Sequence, residues 1–250
     1  MRPPAVPETV GNILTAFALG FDSADLAEQA KSIANRYHFY IDQHKRPRLQ
    51  LTHQGLVLLI DKFSPLKVDF NPFILPSRAA NRHGLLRACK LKPSMTLIDL
   101  TAGWGQDAGL IAQQGARVTM LERQPIMAAL LEDGLERASP SRLALTCVHQ
   151  DALTYLTQLA AEDYPEIIYL DPMHPQRQKS ALVKKDMQAL QQLLGPDDDA
   201  KALLATALAC ATVKVVVKWP QRLPPLHPPD ASIPGKTVRF DLYARKIAKI

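Results

Sequence analysis

From residue 95 onward, short apolar runs alternate with amphipathic stretches. Met95–Leu100, Ala116–Leu121, Leu143–Val148, Glu166–Leu170 and Val213–Val217 predict five strands. The segments between them predict helices at about 106–114, 125–137, 182–194 and 198–209. In the second of these, Met127, Leu130, Leu131 and Leu135 fall on one stripe. Val213–Val217 is apolar except for Lys214, as a strand covered on both faces should be. Residues 219–234 hold six of the 20 prolines and predict a loop, and Thr237–Tyr243 predicts a closing strand. Strands alternating with helices predict an α/β fold, a parallel doubly wound sheet with helices on both faces.

The first part of the chain has a different texture. Residues 8–20 are mostly apolar, and residues 22–37 open on Asp22-Ser23-Ala24-Asp25, a helix-capping pattern. Leu49–Thr52 and Leu56–Ile60 flank His53-Gln54-Gly55 and predict a hairpin, with Val68–Phe70 as a third short strand. Asn71-Pro72 and Leu75-Pro76-Ser77 predict a linker. The expected division is a small N-terminal α/β subdomain over 1–77 and a main domain over 78–250.

Composition narrows the class. With 47% hydrophobic and 22% charged residues in 250, the chain is globular, and no apolar run reaches the length of a membrane span. The N-terminus lacks the apolar core of a secretory signal. Three scattered cysteines suggest a reducing compartment and no metal cluster, so a cytoplasmic protein is expected. A net charge of +6 suits a polyanionic partner such as nucleic acid.

Ligands of open α/β sheets bind beyond the carboxyl ends of the strands, and four such ends carry candidate chemistry. The first is Asp99-Leu-Thr-Ala-Gly103-Trp-Gly105-Gln106-Asp107-Ala108, where glycines let the backbone turn tightly and approach a ligand. The pattern also fits a dinucleotide loop, but a carboxylate at Asp99 repels a pyrophosphate and suits a cationic ligand such as the methionine part of S-adenosylmethionine. The second is Glu122, an acid placed to accept two ribose hydroxyls. The third is Asp151, either an acceptor for the amine of an adenine ring or a helix N-cap. The fourth is Asp171-Pro172-Met173-His174-Pro175, a stiff turn at a strand end that looks like the motif of amino-group methyltransferases.

The exocyclic amine of a base is a poor nucleophile because its lone pair is delocalised into the ring. Asp171 and the Pro172 carbonyl can accept its two N–H bonds and orient the lone pair, and His174 can stack on the base. Downstream, Arg177, Lys179, Lys184 and Lys185 make a basic run suited to phosphates, which Lys218 extends.

These residues resemble one family. Asp99–Asp107, Met120-Leu-Glu-Arg123, Ala128–Gly134, Tyr169–Met173, Gln178–Lys185, Gly195–Ala200, Val215–Lys218 and Arg239–Tyr243 are similar to blocks of the RsmJ-type 16S ribosomal RNA guanine-N2 methyltransferases. The resemblance covers roughly 68–245. It implies a class I, Rossmann-like methyltransferase sheet with a reversed final strand and S-adenosylmethionine as cofactor. It implies cofactor contacts at Gln106, Asp107, Glu122, Arg123, Asp151, Ala152 and Asp171, to which the reading of the strand ends adds Asp99, Gly103 and Gly105; RNA contacts are expected at Arg78, Arg82, Arg177, Lys179, Lys184, Lys185 and Lys218. The implied substrate is a guanosine in the 3′ region of small-subunit RNA, free or in the subunit. Gln106 stands where the family usually has Arg, and His174 where Phe is usual. Two alternatives remain at this point: a nicotinamide-dependent oxidoreductase reading Gly103 and Gly105, and an inactive RNA-binding or ribosome-assembly module.

Overall fold

The computed structural model describes residues 9–10, 13–14, 17–61, 63–70, 83–138, 143–172 and 199–245. They fall into two compact units. The first holds the residues up to Asp69 together with Arg123–Ala138, and the second holds those of Phe70–Glu122, Ser139–Pro172 and Asp198–Ile250.

In the first unit, β1 (Thr9–Val10) and β2 (Ile13–Leu14) form a two-stranded antiparallel pair. A four-stranded sheet follows, built from β3 (Ala18–Phe21), β4 (Tyr40–Ile41), β5 (Arg48–Thr52) and β6 (Gly55–Leu59) in the order β4-β3-β5-β6. The predicted hairpin is β5–β6, antiparallel, and β3 runs parallel to both β4 and β5. A single turn of tighter helix, Ala24–Leu26, leads into α1 (Ala27–Tyr37). The third short strand expected at Val68–Phe70 does not form. The pairing there is one isolated bridge between Leu58 and Leu66, and the alternation of Val68 and Phe70 reflects burial rather than a ladder.

The helix after the second strand of the main pattern, Pro125–Arg137, belongs to this unit by its contacts. Asp133 on that helix accepts the Leu56 N–H at 2.9 Å and binds Arg137, whose Nη2 donates to the Val68 carbonyl. Polar groups that the strand edge would otherwise leave open are thereby satisfied.

The second unit is a seven-stranded sheet flanked by helices. Its strands are β7 (Thr96–Asp99), β8 (Arg117–Glu122), β9 (Leu145–His149), β10 (Ile167–Leu170), β11 (Lys214–Pro220), β12 (Ala231–Pro234) and β13 (Val238–Ala244). Their order is β12-β13-β11-β10-β7-β8-β9. The first five to form the ladder, β7 to β11, are parallel, and β13 and β12 are antiparallel. The helices are α2 (Gly84–Cys89), α3 (Gln106–Ala112), α4 (Pro125–Arg137, in the first unit), α5 (Ala152–Gln158) and α6 (Ala200–Cys210). Ile98, Leu100, Leu121, Ile168, Leu170, Val215 and Val217 from the strands pack with Leu156, Leu203, Leu204 and Ala207 from the helices as one core. The helix expected at 182–194 lies outside the described residues.

The proline-rich stretch 219–234 is not wholly loop. β11 runs on to Pro220, and Ala231–Pro234 pairs with β13 as an edge strand. Proline is tolerated there because an edge strand leaves one row of N–H positions unused. Between these strands the chain is held from below by Arg239. Its Nη1 donates to the carbonyls of Pro220, Gln221 and Leu223 at 2.9, 3.0 and 2.9 Å, while Nε donates to Asp241 at 2.9 Å. Trp219 donates to the Pro224 carbonyl and Tyr243 to that of His227. Arg239 and Asp241 are both buried. Removing the cation strands a buried carboxylate and three carbonyls, so Arg239→Met is expected to lose about 3–5 kcal/mol of stability in urea unfolding. A loss below about 1 kcal/mol, the scale of an exposed ion pair, would refute this account.

Candidate active site

The chain leaves β7 for β8 and β9 on one side and returns to β10 on the other. The gap between β7 and β10 is therefore the switch point of the sheet, where α/β folds open a crevice at the carboxyl ends. Asp99 ends β7 and Asp171 follows the last residue of β10. The sequence places a carboxylate on each side of the crevice, and the sheet order makes them neighbours.

Asp99 is almost fully buried, and its Oδ1 accepts the Thr101 N–H at 3.0 Å. Burial pushes its carboxyl up to about 8; the Thr101 bond opposes this, and the charges of Asp107 and Asp171 add to it. Asp99 is thus mostly protonated at neutral pH. Thr101 also turns its hydroxyl to the other strand end, where Oγ1 accepts the Asp171 N–H at 2.7 Å.

The loop from Thr101 to Gly105 needs its glycines. Gly103 and Gly105 have φ of 52° and 68°, in the left-handed region that costs other residues strain. A Cβ placed on Gly103 would find its nearest atom, the Thr101 carbonyl oxygen, at 3.9 Å, so the space beside this backbone is open. Glu122, buried at the end of β8, accepts the Gly103 N–H at 3.0 Å and so fixes the loop to the neighbouring strand. The β8–β9 end is closed by the Gln150 N–H donating to the Glu122 carbonyl.

Past the loop, Asp107 lies in the first turn of α3. Its Oδ2 accepts the Tyr169 hydroxyl at 2.6 Å and the Lys218 ammonium at 2.9 Å, and Lys218 also donates to Asp171 Oδ2 at 2.7 Å. Burial alone would raise the Asp107 carboxyl; the Lys218 charge and the bonds from Tyr169 and Lys218 outweigh it and hold it below its usual range. The same contacts keep Lys218 charged, its affinity for the proton raised by Asp171 and Asp107 against the cost of burial. Tyr169 is fully buried and its hydroxyl stays protonated, pushed up by burial and by Asp107.

The other expected residues are placed as follows. Gln106 is exposed as the first residue of α3, and Arg123 follows Glu122 at the strand end. Asp151 is the N-cap of α5, accepting the N–H and hydroxyl of Thr154 at 2.9 and 3.0 Å, and Ala152 packs into the core. Pro172 is buried beside Asp171. Lys218, expected to face RNA, has its ammonium between two carboxylates instead. His174, Arg78, Arg82, Arg177, Lys179, Lys184 and Lys185 lie outside the described residues. Thr101 and Tyr169 were not singled out from sequence. Tyr169 carried a usable signal, since it stands two residues before Asp171 on one strand and hence on the same face.

The site suits S-adenosylmethionine. Asp107 and Asp171 are ionised beside the loop and Asp99 is an acid that a cation can ionise, which favours a cationic ligand over a pyrophosphate. Glu122 ends the neighbouring strand and reaches the same loop. Beside the loop, Trp104 Nε1 and His83 Nδ1 are buried without a hydrogen-bond partner among the described residues, which is unusual unless a ligand supplies one.

Known proteins share this sequence pattern and this fold. The SAM-dependent methyltransferase family model matches residues 32–245. A ribosomal RNA small subunit methyltransferase J from Legionella pneumophila is 48% identical over 231 residues, covering 90% of this chain and 95% of its own. Proteins of the same name from Thioalkalivibrio sulfidiphilus and Colwellia psychrerythraea are 41% and 38% identical, covering 92% and 98% of this chain and 98% and 97% of their own. The crystal structure of a SAM-dependent methyltransferase from Neisseria gonorrhoeae superposes with a TM-score of 0.69 at 24% identity, covering 93% of this chain and 97% of that one, and shares its fold. Acids at the ends of β7, β8 and β10, a glycine loop after β7 and these relatives place the chain among the class I SAM-dependent methyltransferases, in the family whose members are called ribosomal RNA small subunit methyltransferase J.

Proposed function

We propose that this methyltransferase modifies the exocyclic N2 amine of a guanosine in the 3′ region of 16S ribosomal RNA, as naked RNA or in the small subunit, in the cytoplasm. The observation that carries the reading is Asp171. It is a carboxylate at the switch point, anchored through its backbone to Thr101 and through its side chain to Lys218, and followed directly by the buried Pro172. The names of the relatives support the choice of RNA as substrate.

When bound, S-adenosylmethionine supplies an activated methyl group, held by the 99–107 loop, Glu122, Arg123 and the 151–152 turn. The chain's own task is then placement. Asp171 and the Pro172 carbonyl accept the two N–H bonds of the amine and turn its lone pair away from the ring. His174 stacks on the base. Asp171 also receives the proton that the nitrogen sheds after transfer, so no strong base is needed beforehand. Arg78, Arg82, Arg177, Lys179, Lys184 and Lys185 hold phosphates around residues 78–250, with 1–77 as an accessory subdomain.

The direct test supplies labelled S-adenosylmethionine and small subunits from cells that lack the enzyme. N2-methylguanosine in the 16S RNA is expected, identified by mass spectrometry of the nucleosides; label absent from RNA would reject the substrate. Asp171→Ala is expected to lower kcat by roughly 10²–10³-fold, the scale of one lost transition-state acceptor. A variant of full rate would sink the mechanism.

Asp99 gives a separate test of cofactor placement. Its carboxyl, raised to about 8, is protonated in the empty protein at neutral pH, whereas a cationic ligand favours the carboxylate. Binding of S-adenosylmethionine should therefore release a proton, and affinity should rise with pH up to about 8 and then level off. Calorimetry in buffers of different ionisation enthalpy reads the release directly. Asp99→Asn should abolish it, and identical heats in all buffers for the unmodified protein would count against a cation beside Asp99.

A further inference from the structure

Lys218 is the residue whose surroundings differ most from its expected role. In the parallel pair β10–β11, Leu170 lies opposite Val217, so Asp171 and Lys218 are the next residues in step and emerge side by side. The ammonium lies 2.7 Å from Asp171 Oδ2 and 2.9 Å from Asp107 Oδ2, and three-quarters of the Lys218 side chain is buried. Asp107 is itself tied to Tyr169, which stands on the same strand face as Asp171. A lysine that grips phosphate keeps its ammonium in solvent and free to follow the backbone. This one is committed to two charge-assisted bonds across the crevice.

We propose that Lys218 is a positioning residue: its ammonium holds the Asp171 carboxylate in the orientation that receives the substrate amine, and ties that carboxylate to Asp107 on the cofactor loop. The inference rests on the reading of Asp171 given above. Without the ammonium, Asp107 and Asp171 lose the group that joins them and repel each other as like charges. Thr101 would still fix the Asp171 backbone, so the loss falls on the side chain's orientation.

The test compares Lys218→Met and Lys218→Arg with the unmodified protein and Asp171→Ala. Lys218→Met should lower kcat on small subunits roughly 10²-fold, the cost of a misplaced reacting group, while KM for subunits and the salt dependence of RNA binding stay unchanged. Lys218→Arg restores the charge and should recover most of that loss. Adding Lys218→Met to Asp171→Ala should cost nothing further, because the two act through one group. If Lys218→Met does not fold, as judged by its thermal transition, Lys218→Gln retains a donor and should give the same pattern.

The inference is overturned if Lys218→Met keeps kcat but weakens RNA binding and lowers the salt slope by about 1, the signature of a lost phosphate contact. It is also overturned if the variant behaves like the unmodified protein while Asp171→Ala is inactive, an outcome that leaves the proposed function standing. Full activity in Asp171→Ala removes both.

Discussion

Three carboxylates meet around one loop, and only one ammonium bonds among them in the described residues. Asp99, Asp107 and Asp171 cannot all be ionised in a partly buried crevice without a heavy Coulomb cost. The protein resolves this by protonating the most buried acid and pairing the other two with Lys218. With Asp99 neutral, Asp107 and Asp171 remain ionised with Lys218 between them. S-adenosylmethionine, with one carboxylate, one ammonium and one sulfonium, carries a single positive charge. A nicotinamide dinucleotide brings the opposite sign, so glycines that fit both patterns stand beside acids that favour a methyl donor.

The arrangement depends on strand register more than on any loop. Parallel pairing sets Tyr169 opposite Asp99 and carries Asp171 level with Lys218, so four of the interacting side chains are placed by backbone ladders in the core. The glycine turn is itself bonded to Glu122 at the end of the next strand. Sites built on strand ends hold their geometry because moving one group means breaking a ladder.

Much of this was legible beforehand. The strands from 95 to 217 show as apolar runs because they are covered on both faces, and Asp99, Glu122 and Asp171 show as the acids that end them. What stayed hidden depended on partners distant in the chain. Lys218 reads as one more basic residue until the β10–β11 register sets it beside Asp171, 47 residues away. Thr101 reads as a loop residue until its hydroxyl meets the Asp171 N–H. The edge strand at Ala231–Pro234 was masked by prolines, whose usual meaning is a turn and whose edge-strand meaning needs the sheet to be known. The reverse error occurred at Val68–Phe70, where alternating burial looked like a strand but had no neighbour to pair with.

The reversed strand β13 has a consequence for how the crevice can be disturbed. Lys218 sits on β11, directly paired across to Phe240, and the Arg239 that organises the chain after β11 lies on β13 as well. The cation beside Asp171 is therefore framed by a strand that follows it in the chain and runs against it. The glycine loop, Glu122 and Asp171 all stand on the parallel part of the sheet, while the ladder that backs Lys218 is antiparallel. Damage to the β12–β13 hairpin, though it carries none of the three acids, would reach the crevice through Lys218.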